Sequence, residues 1–236
     1  MSRPIVLAIE TSQHRGSVAL RDRRGDVHAE PLGAELRHDD DLLPAIDRLF
    51  KRLDLKPEDL GGGGAVGVSV GPGGFTGLRI GVSTAKALSE ALGARLVAAP
   101  TALVAGESVE REQAGDGPVL VALASKGETF WATLLERDEQ TSWSVSEPPG
   151  LADAADVTIE NLTAVVGDEH VPRRLRDRCE SVGTLLIEPR FEATACLAVT
   201  CRLLEAGRTI DPLELAPLYP REPEAVSLWE KRRSGR

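Results

Sequence analysis

The stretch Gly71-Pro72-Gly73-Gly74-Phe75-Thr76-Gly77-Leu78-Arg79 takes in an apolar run, Val66-Gly67-Val68-Ser69-Val70, and releases a helix-like run from Ile80 to Leu92. A strand, a glycine turn and a helix start follow one another without a gap, the local grammar of an α/β chain. Pro72 fixes its own φ, and the flanking glycines permit positive φ and close approach, so the turn can aim successive N–H groups at one point. Gly71, Gly73, Gly74 and Thr76 are thus a candidate anion cradle. The same turn would equally serve to pack strand and helix tightly, and both readings stand. Two familiar cradles are excluded: no Lys-Ser/Thr pair follows a second glycine, and the glycines at 71, 73 and 77 miss the dinucleotide spacing by one residue.

The helix leaving the turn is expected over Leu78–Leu92 with Gly93 as its stop. Gly77, Gly81, Ala85 and Ser89 form one i, i+4 ridge of small residues, while Leu78, Ile80, Val82, Leu88 and Leu92 carry apolar character around the rest. Such a helix is buried on more than one side, by its own core or by a partner. An earlier stripe, Leu42, Leu43, Ile46, Leu49, Phe50 and Leu53, predicts an amphipathic helix over 39–53, with Asp39, Asp40 and Asp41 as a solvated start at its positive end. His38 beside those aspartates is weaker as a metal site than as part of that helix start. Leu42, Ile46, Leu49 and Leu53 with Arg79, Val82 and Lys86 are the candidate partner surface.

Before these helices the chain opens with strands. Residues 4–10 form a continuous apolar run ending in Glu10, Thr11 and Ser12, and Gly16–Leu20 and Asp26–Leu32 read as two further strands of a meander. Arg95–Ala98 is a short strand and Thr101–Val109 a helix. Then the opening pattern recurs: Pro118–Ser125, a polar turn, and Thr129–Glu136 mirror Pro4–Thr11 and Ser17–Leu20, which suggests duplicated halves, 1–109 and 110–236. The second half continues as a polar loop through Pro148-Pro149-Gly150, a strand at 164–166, a helix at 172–179, a strand at 185–187 and a helix at 194–205. Pro212 to Pro223 shows no period.

Composition narrows the function classes. The 236 residues carry 42% hydrophobic and 28% charged side chains, ordinary for a globular core. A net charge of −9 speaks against nucleic-acid binding by this chain alone, and the basic tail from Lys231 to Arg236 reads as a solvated end. Cys179, Cys196 and Cys201 form an odd set without CxxC spacing, which points to buried thiols in a reducing compartment. Neither a signal-like segment nor a run of membrane-spanning length is evident, so a cytoplasmic location is expected.

The segments Ile9-Glu10-Thr11-Ser12, Leu42-Leu43-Pro44-Ala45-Ile46, Gly71 to Gly81 and Pro217-Leu218-Tyr219-Pro220-Arg221-Glu222 together resemble the TsaB (YeaZ) family of tRNA threonylcarbamoyladenosine biosynthesis. The resemblance spans most of the chain. It implies an actin-like, Hsp70-like fold of two ribonuclease-H-like halves, each a mixed sheet flanked by helices. It implies a non-catalytic scaffold that activates TsaD, with TsaE as a further partner, a homodimer when alone, and contact with tRNA only through the complex. No cofactor of its own is expected, and ATP or ADP with Mg would enter at the level of the complex. Glu10 stands where actin-like ATPases keep an aspartate that orients magnesium-bound water, or it caps local N–H groups at a strand end, the reading favoured here. Glu10, Thr11 and Ser12 with the glycine turn would then be a vestigial nucleotide site. An autonomous weak ATPase is the alternative. TsaD-like proteins hold metal through two histidines at i, i+4, a spacing that His14, His28, His38 and His170 never show, so a metalloprotease is not expected. One departure from the family pattern lies at Ser125-Lys126-Gly127-Glu128, where Asp-Ala-Arg is common.

Overall fold

The computed structural model describes residues 3–33, 38–138 and 142–221, with 229 and 233, and the backbone alone at 38–40 and 111. Tail residues 231, 232 and 234–236, Glu222, and the side chains of His38, Asp39 and Asp40 therefore lie outside what is described.

Among the described residues two mixed sheets are present. In the first, β1 (Val6–Glu10), β2 (Ser17–Arg21), β3 (Val27–Pro31), β4 (Ala65–Ser69) and β5 (Arg95–Ala99) lie in the order β3-β2-β1-β4-β5. β1 pairs antiparallel with β2, Leu7 opposite Leu20, and parallel with β4, Leu7 beside Val66. In the second, β6 (Val119–Lys126), β7 (Thr129–Arg137), β8 (Trp143–Val145), β10 (Ala164–Gly167) and β11 (Leu185–Ile187) run β11-β10-β6-β7-β8. β9 (Gly150–Asp153) also pairs with β7. With β9, which pairs off the main path, set aside and the other strands numbered within their own halves, both sheets follow the ribonuclease-H-like order 3-2-1-4-5, so the thin sequence recurrence corresponds to a repeated topology. The strands β8 and β9 fall in what the sequence reads as a polar loop. They are short and half exposed, and their register is imposed by β7 rather than by their own pattern.

Among the described residues six α-helices accompany the sheets: α1 (His38–Arg52), α2 (Phe75–Leu92), α3 (Thr101–Glu107), α4 (Arg111–Ala114), α5 (Arg173–Val182) and α6 (Ala193–Glu205). Side chains alternate across β1. Ile5, Leu7 and Ile9 enter a core with Leu42, Leu49 and Val82 under α1 and α2, while Val6 and Ala8 face the opposite core. That second core is continuous from the first sheet through α3 and α6 to Val119, Val121 and Leu123 of the second sheet. α5 covers the far side through Leu175 and Cys179. The layers are thus α1/α2, first sheet, α3/α6, second sheet, α5.

The helices at the centre are exchanged. α6 follows the second sheet in sequence but packs on β1, β2, β4 and β5, and α3 follows the first sheet but contacts β6, β7 and β8. Gly67 makes room for this, since a Cβ there would overlap the Thr200 side chain of α6. Among the described residues, no helix is long and apolar enough to cross a membrane.

Candidate functional site

The glycine turn sits between the ends of β1 and β4 and the start of α2, which begins at Phe75 rather than Leu78. Thr76 therefore lies in the exposed first turn of the helix and not in a cradle. Gly71 N–H donates to Thr101 Oγ1 at 3.0 Å and Gly74 N–H to the Ser12 carbonyl at 2.7 Å. Two donors of the candidate cradle are thereby committed inside the protein. Gly71 holds a φ of 112° after which a cis peptide leads to Pro72. A Cβ on Gly71 would come within 2.6 Å of the Leu218 carbonyl, and one on Gly73 would overlap the Ser12 carbonyl. Close packing accounts for these glycines.

Glu10, Thr11 and Ser12 are fully buried. Glu10 Oε1 accepts the Ser12 N–H at 2.7 Å, and Oε2 accepts the Ser69 hydroxyl. Thr11 Oγ1 donates to the Gly77 carbonyl at 2.9 Å, while Ser12 Oγ has no hydrogen-bond partner among the described residues. The Cys196 thiol lies 3.7 Å from Ser69 Oγ, and its pKa is pushed up to about 12 by burial and by the nearby Glu10 carboxylate. These residues tie together β1, β4 and α2, with Glu10 in the strand-end capping role.

A cleft between the halves is lined by His14, Arg15, Gly73, Ser125, His170 and Arg190. Asp168, Glu169, Glu188 and Glu192 also line it, so carboxylates outnumber guanidinium groups, an unfavourable field for a polyphosphate. Glu10 is not in that lining. Ser125 belongs to the hairpin that departs from the family pattern, and its neighbour Ala124 has a left-handed φ of 53° at the bulge between Leu123 and Lys126. Among the described residues, no three His, Cys, Asp or Glu side chains gather as metal ligands.

The candidate partner surface is largely relocated. Leu42, Ile46, Leu49 and Val82 are buried in the core against the first sheet, and Leu53 packs half-buried at its edge. An amphipathic stripe announces burial without saying by what, and here the sheet covers it. Lys86 Nζ donates to the Leu215 carbonyl at 3.1 Å, so it serves the chain's own C-terminal segment. Arg79 remains exposed. Its guanidinium lies 3.5 Å above the Phe75 ring, and Nε donates to the Tyr219 hydroxyl at 3.0 Å. The aspartates at the start of α1 are also corrected in part: Asp41 is buried, accepting Arg48 Nη1 at 2.9 Å, Nη2 at 3.1 Å and the Gly33 N–H at 2.7 Å. Its pKa is lowered first by the Arg48 hydrogen bonds and then by that N–H.

What the candidate partner surface left out is the face that remains exposed. Leu43 is 59% and Phe75 50% exposed, and a groove between α1 and α2 is lined by Leu43, Arg79, Ile80, Ser83 and Thr84. Leu43 counts in the apolar stripe read from the sequence but sits at its edge, next to the buried Leu42, and that edge position is the signal that could have marked it.

Comparison with known proteins places this geometry. The family model described as TsaD, tRNA N6-adenosine threonylcarbamoyltransferase, matches residues 23–148, more than half of the chain. The tRNA threonylcarbamoyladenosine biosynthesis protein TsaB of Escherichia coli (strain K12) is 27% identical over 237 residues, covering 96% of this chain and 97% of that protein. TsaB of Bacillus subtilis (strain 168) is 38% identical over 88 residues, 37% of each chain. The solved YeaZ from Pseudomonas aeruginosa shares the fold with a TM-score of 0.74 at 20% identity, covering 93% of this chain and all of that one. The chain belongs to the family of the TsaD model and, within it, to the TsaB (YeaZ) proteins of tRNA threonylcarbamoyladenosine biosynthesis.

Proposed function

We propose that this chain acts in tRNA threonylcarbamoyladenosine biosynthesis as a non-catalytic scaffold that docks TsaD and activates threonylcarbamoyl transfer. The observation that carries the reading is the exposed cluster of Leu43, Phe75 and Arg79 on α1 and α2. An aromatic ring stacked by an arginine, both exposed, is a pairing enriched at protein interfaces over the rest of the surface. Leaving it bare in a chain with such a well-filled core costs solubility unless a partner covers it.

Two further features support a scaffold over the alternative of an autonomous ATPase. Glu10 turns both oxygens toward Ser12 and Ser69 inside the protein, and the cleft that a nucleotide would enter carries an acidic excess. ATP or ADP with Mg, TsaE and tRNA would join at the level of the complex, and a homodimer through the same face is the resting form when TsaD is absent.

The test is a reconstituted tRNA modification assay with TsaD and TsaE, run with and without this chain. Modified adenosine should fall by at least tenfold on omission and return with wild-type chain. It should return equally with Glu10→Gln at matched folded concentration. Full modification without the chain, or loss confined to the Glu10 variant, would overturn the scaffold reading.

A further inference from the structure

Residues 210–221 follow α6 and run back over the first half without a regular repeat. Ile210 N–H donates to the Leu96 carbonyl at 2.9 Å, Leu215 is buried in the core under α1 and α2, and Leu218 N–H donates to the Val70 carbonyl at 2.6 Å. At that point the Leu218 carbonyl fills the space beside Gly71. Tyr219 then lies against Phe75, ring centroids 5.3 Å apart, and its hydroxyl accepts the Arg79 Nε–H.

Two residues later the segment reaches the other half. Arg221 Nη1 donates to the Ala124 carbonyl at 2.8 Å, and Nη2 donates to the Thr129 carbonyl at 3.1 Å and to Thr129 Oγ1 at 2.7 Å. The guanidinium thus spans the β6–β7 hairpin and fastens Ala124 at its left-handed turn. Three hydrogen bonds from one planar fork leave little freedom, and Pro217 and Pro220 restrict the backbone around Tyr219.

We propose that segment 210–221 is a clasp through which the second half sets the docking face on α2. Arg221, seated in the β6–β7 hairpin, holds Tyr219 against Phe75 and Arg79, so a protein engaging that face is sensitive to how the two halves are set. The inference rests on the reading that the Leu43, Phe75 and Arg79 face takes TsaD. Its physical content is preorganisation: Tyr219 orders a phenylalanine and an arginine that would otherwise lose rotamer freedom on docking. A residue two positions beyond Tyr219 controls that order without touching the partner.

The experiment measures TsaD affinity and amide exchange for the full chain as wild type, Arg221→Ala, Arg221→Lys, Tyr219→Ala and Phe75→Ala. Arg221→Ala should weaken TsaD binding about tenfold, an ordering loss of one to two side chains. It should also speed exchange at Leu218 N–H and in residues 126–129, with global melting retained. Arg221→Lys should do nearly the same, and adding Arg221→Ala to Tyr219→Ala should cost no further affinity, as linked residues do not add. Unchanged affinity in Arg221→Ala with weakened binding in Phe75→Ala would overturn the clasp and leave the docking face standing. Unchanged affinity in Phe75→Ala and Tyr219→Ala would overturn both.

Discussion

Asp41 shows how a single side chain changes meaning when its neighbours are known. Three consecutive aspartates at a helix start read as solvated charges, yet Asp41 is buried and bonded to Arg48 and to the Gly33 N–H, while Arg48 Nε also reaches Glu30 at 2.9 Å. The pair fastens α1 to the end of β3. Because the folded-state pKa is lowered, its stabilisation is fully present above an unfolded value of about 4 and is lost as pH falls through the folded value. Asp41→Asn should therefore cost about 1–3 kcal/mol at pH 7. Urea denaturation at pH 7 and pH 3 should find the gap between variant and wild type narrowing at the lower pH; an equal gap at both would contradict the assignment. Nothing in the sequence separated Asp41 from Asp39 and Asp40, since its partners lie seven residues ahead and eight behind. Glu10 was more legible. A carboxylate at the end of a doubly buried strand must be satisfied locally, and Ser12 and Ser69 satisfy it.

At the scale of elements, period and punctuation carried most of the reading. The continuous apolar runs became β1 and β6, the small ridge of α2 became its contact with the sheet, and Gly93 ends α2 with a φ of 64°. What periodicity could not state was the identity of the covering surface, so Leu42, Ile46, Leu49 and Val82 passed for a docking stripe although they belong to the core. The ridge gives a sharp test. A Cβ on Gly81 would overlap Thr11 Oγ1, which already bonds the Gly77 carbonyl, so neither atom can yield freely. Gly81→Ala should destabilise by about 1–3 kcal/mol despite the better helix propensity of alanine. The double variant Gly81→Ala with Thr11→Ala should recover part of that loss. Thermal or urea unfolding of the three proteins checks it, and a stabilised Gly81→Ala would show that α2 does not press on β1.

The whole molecule is more interlocked than a chain of two successive halves. The recurrence of the opening strands pointed to duplication, and both sheets share one strand order, but α3 and α6 each serve the sheet of the other half. Such exchange is invisible to periodicity, because an apolar helix face carries no address. The visible trace was Gly67, a glycine inside a strand, where Thr200 of α6 approaches. The C-terminal segment was legible only as a run without period. Its order comes from Leu218, Tyr219 and Arg221 bonding to other elements rather than to one another.

With the core and the clasp accounted for, the outer face of α1 and α2 is the surface on which the scaffold reading stands. The most direct measurement is a calorimetric titration of TsaD with wild-type chain, Leu43→Asp and Arg79→Glu, each first shown by circular dichroism to melt as wild type does. Both positions are exposed, so folding should survive. TsaD affinity should fall at least tenfold in each, the loss expected at an interface hot spot, while two folded variants that bind TsaD as tightly as wild type would contradict the account.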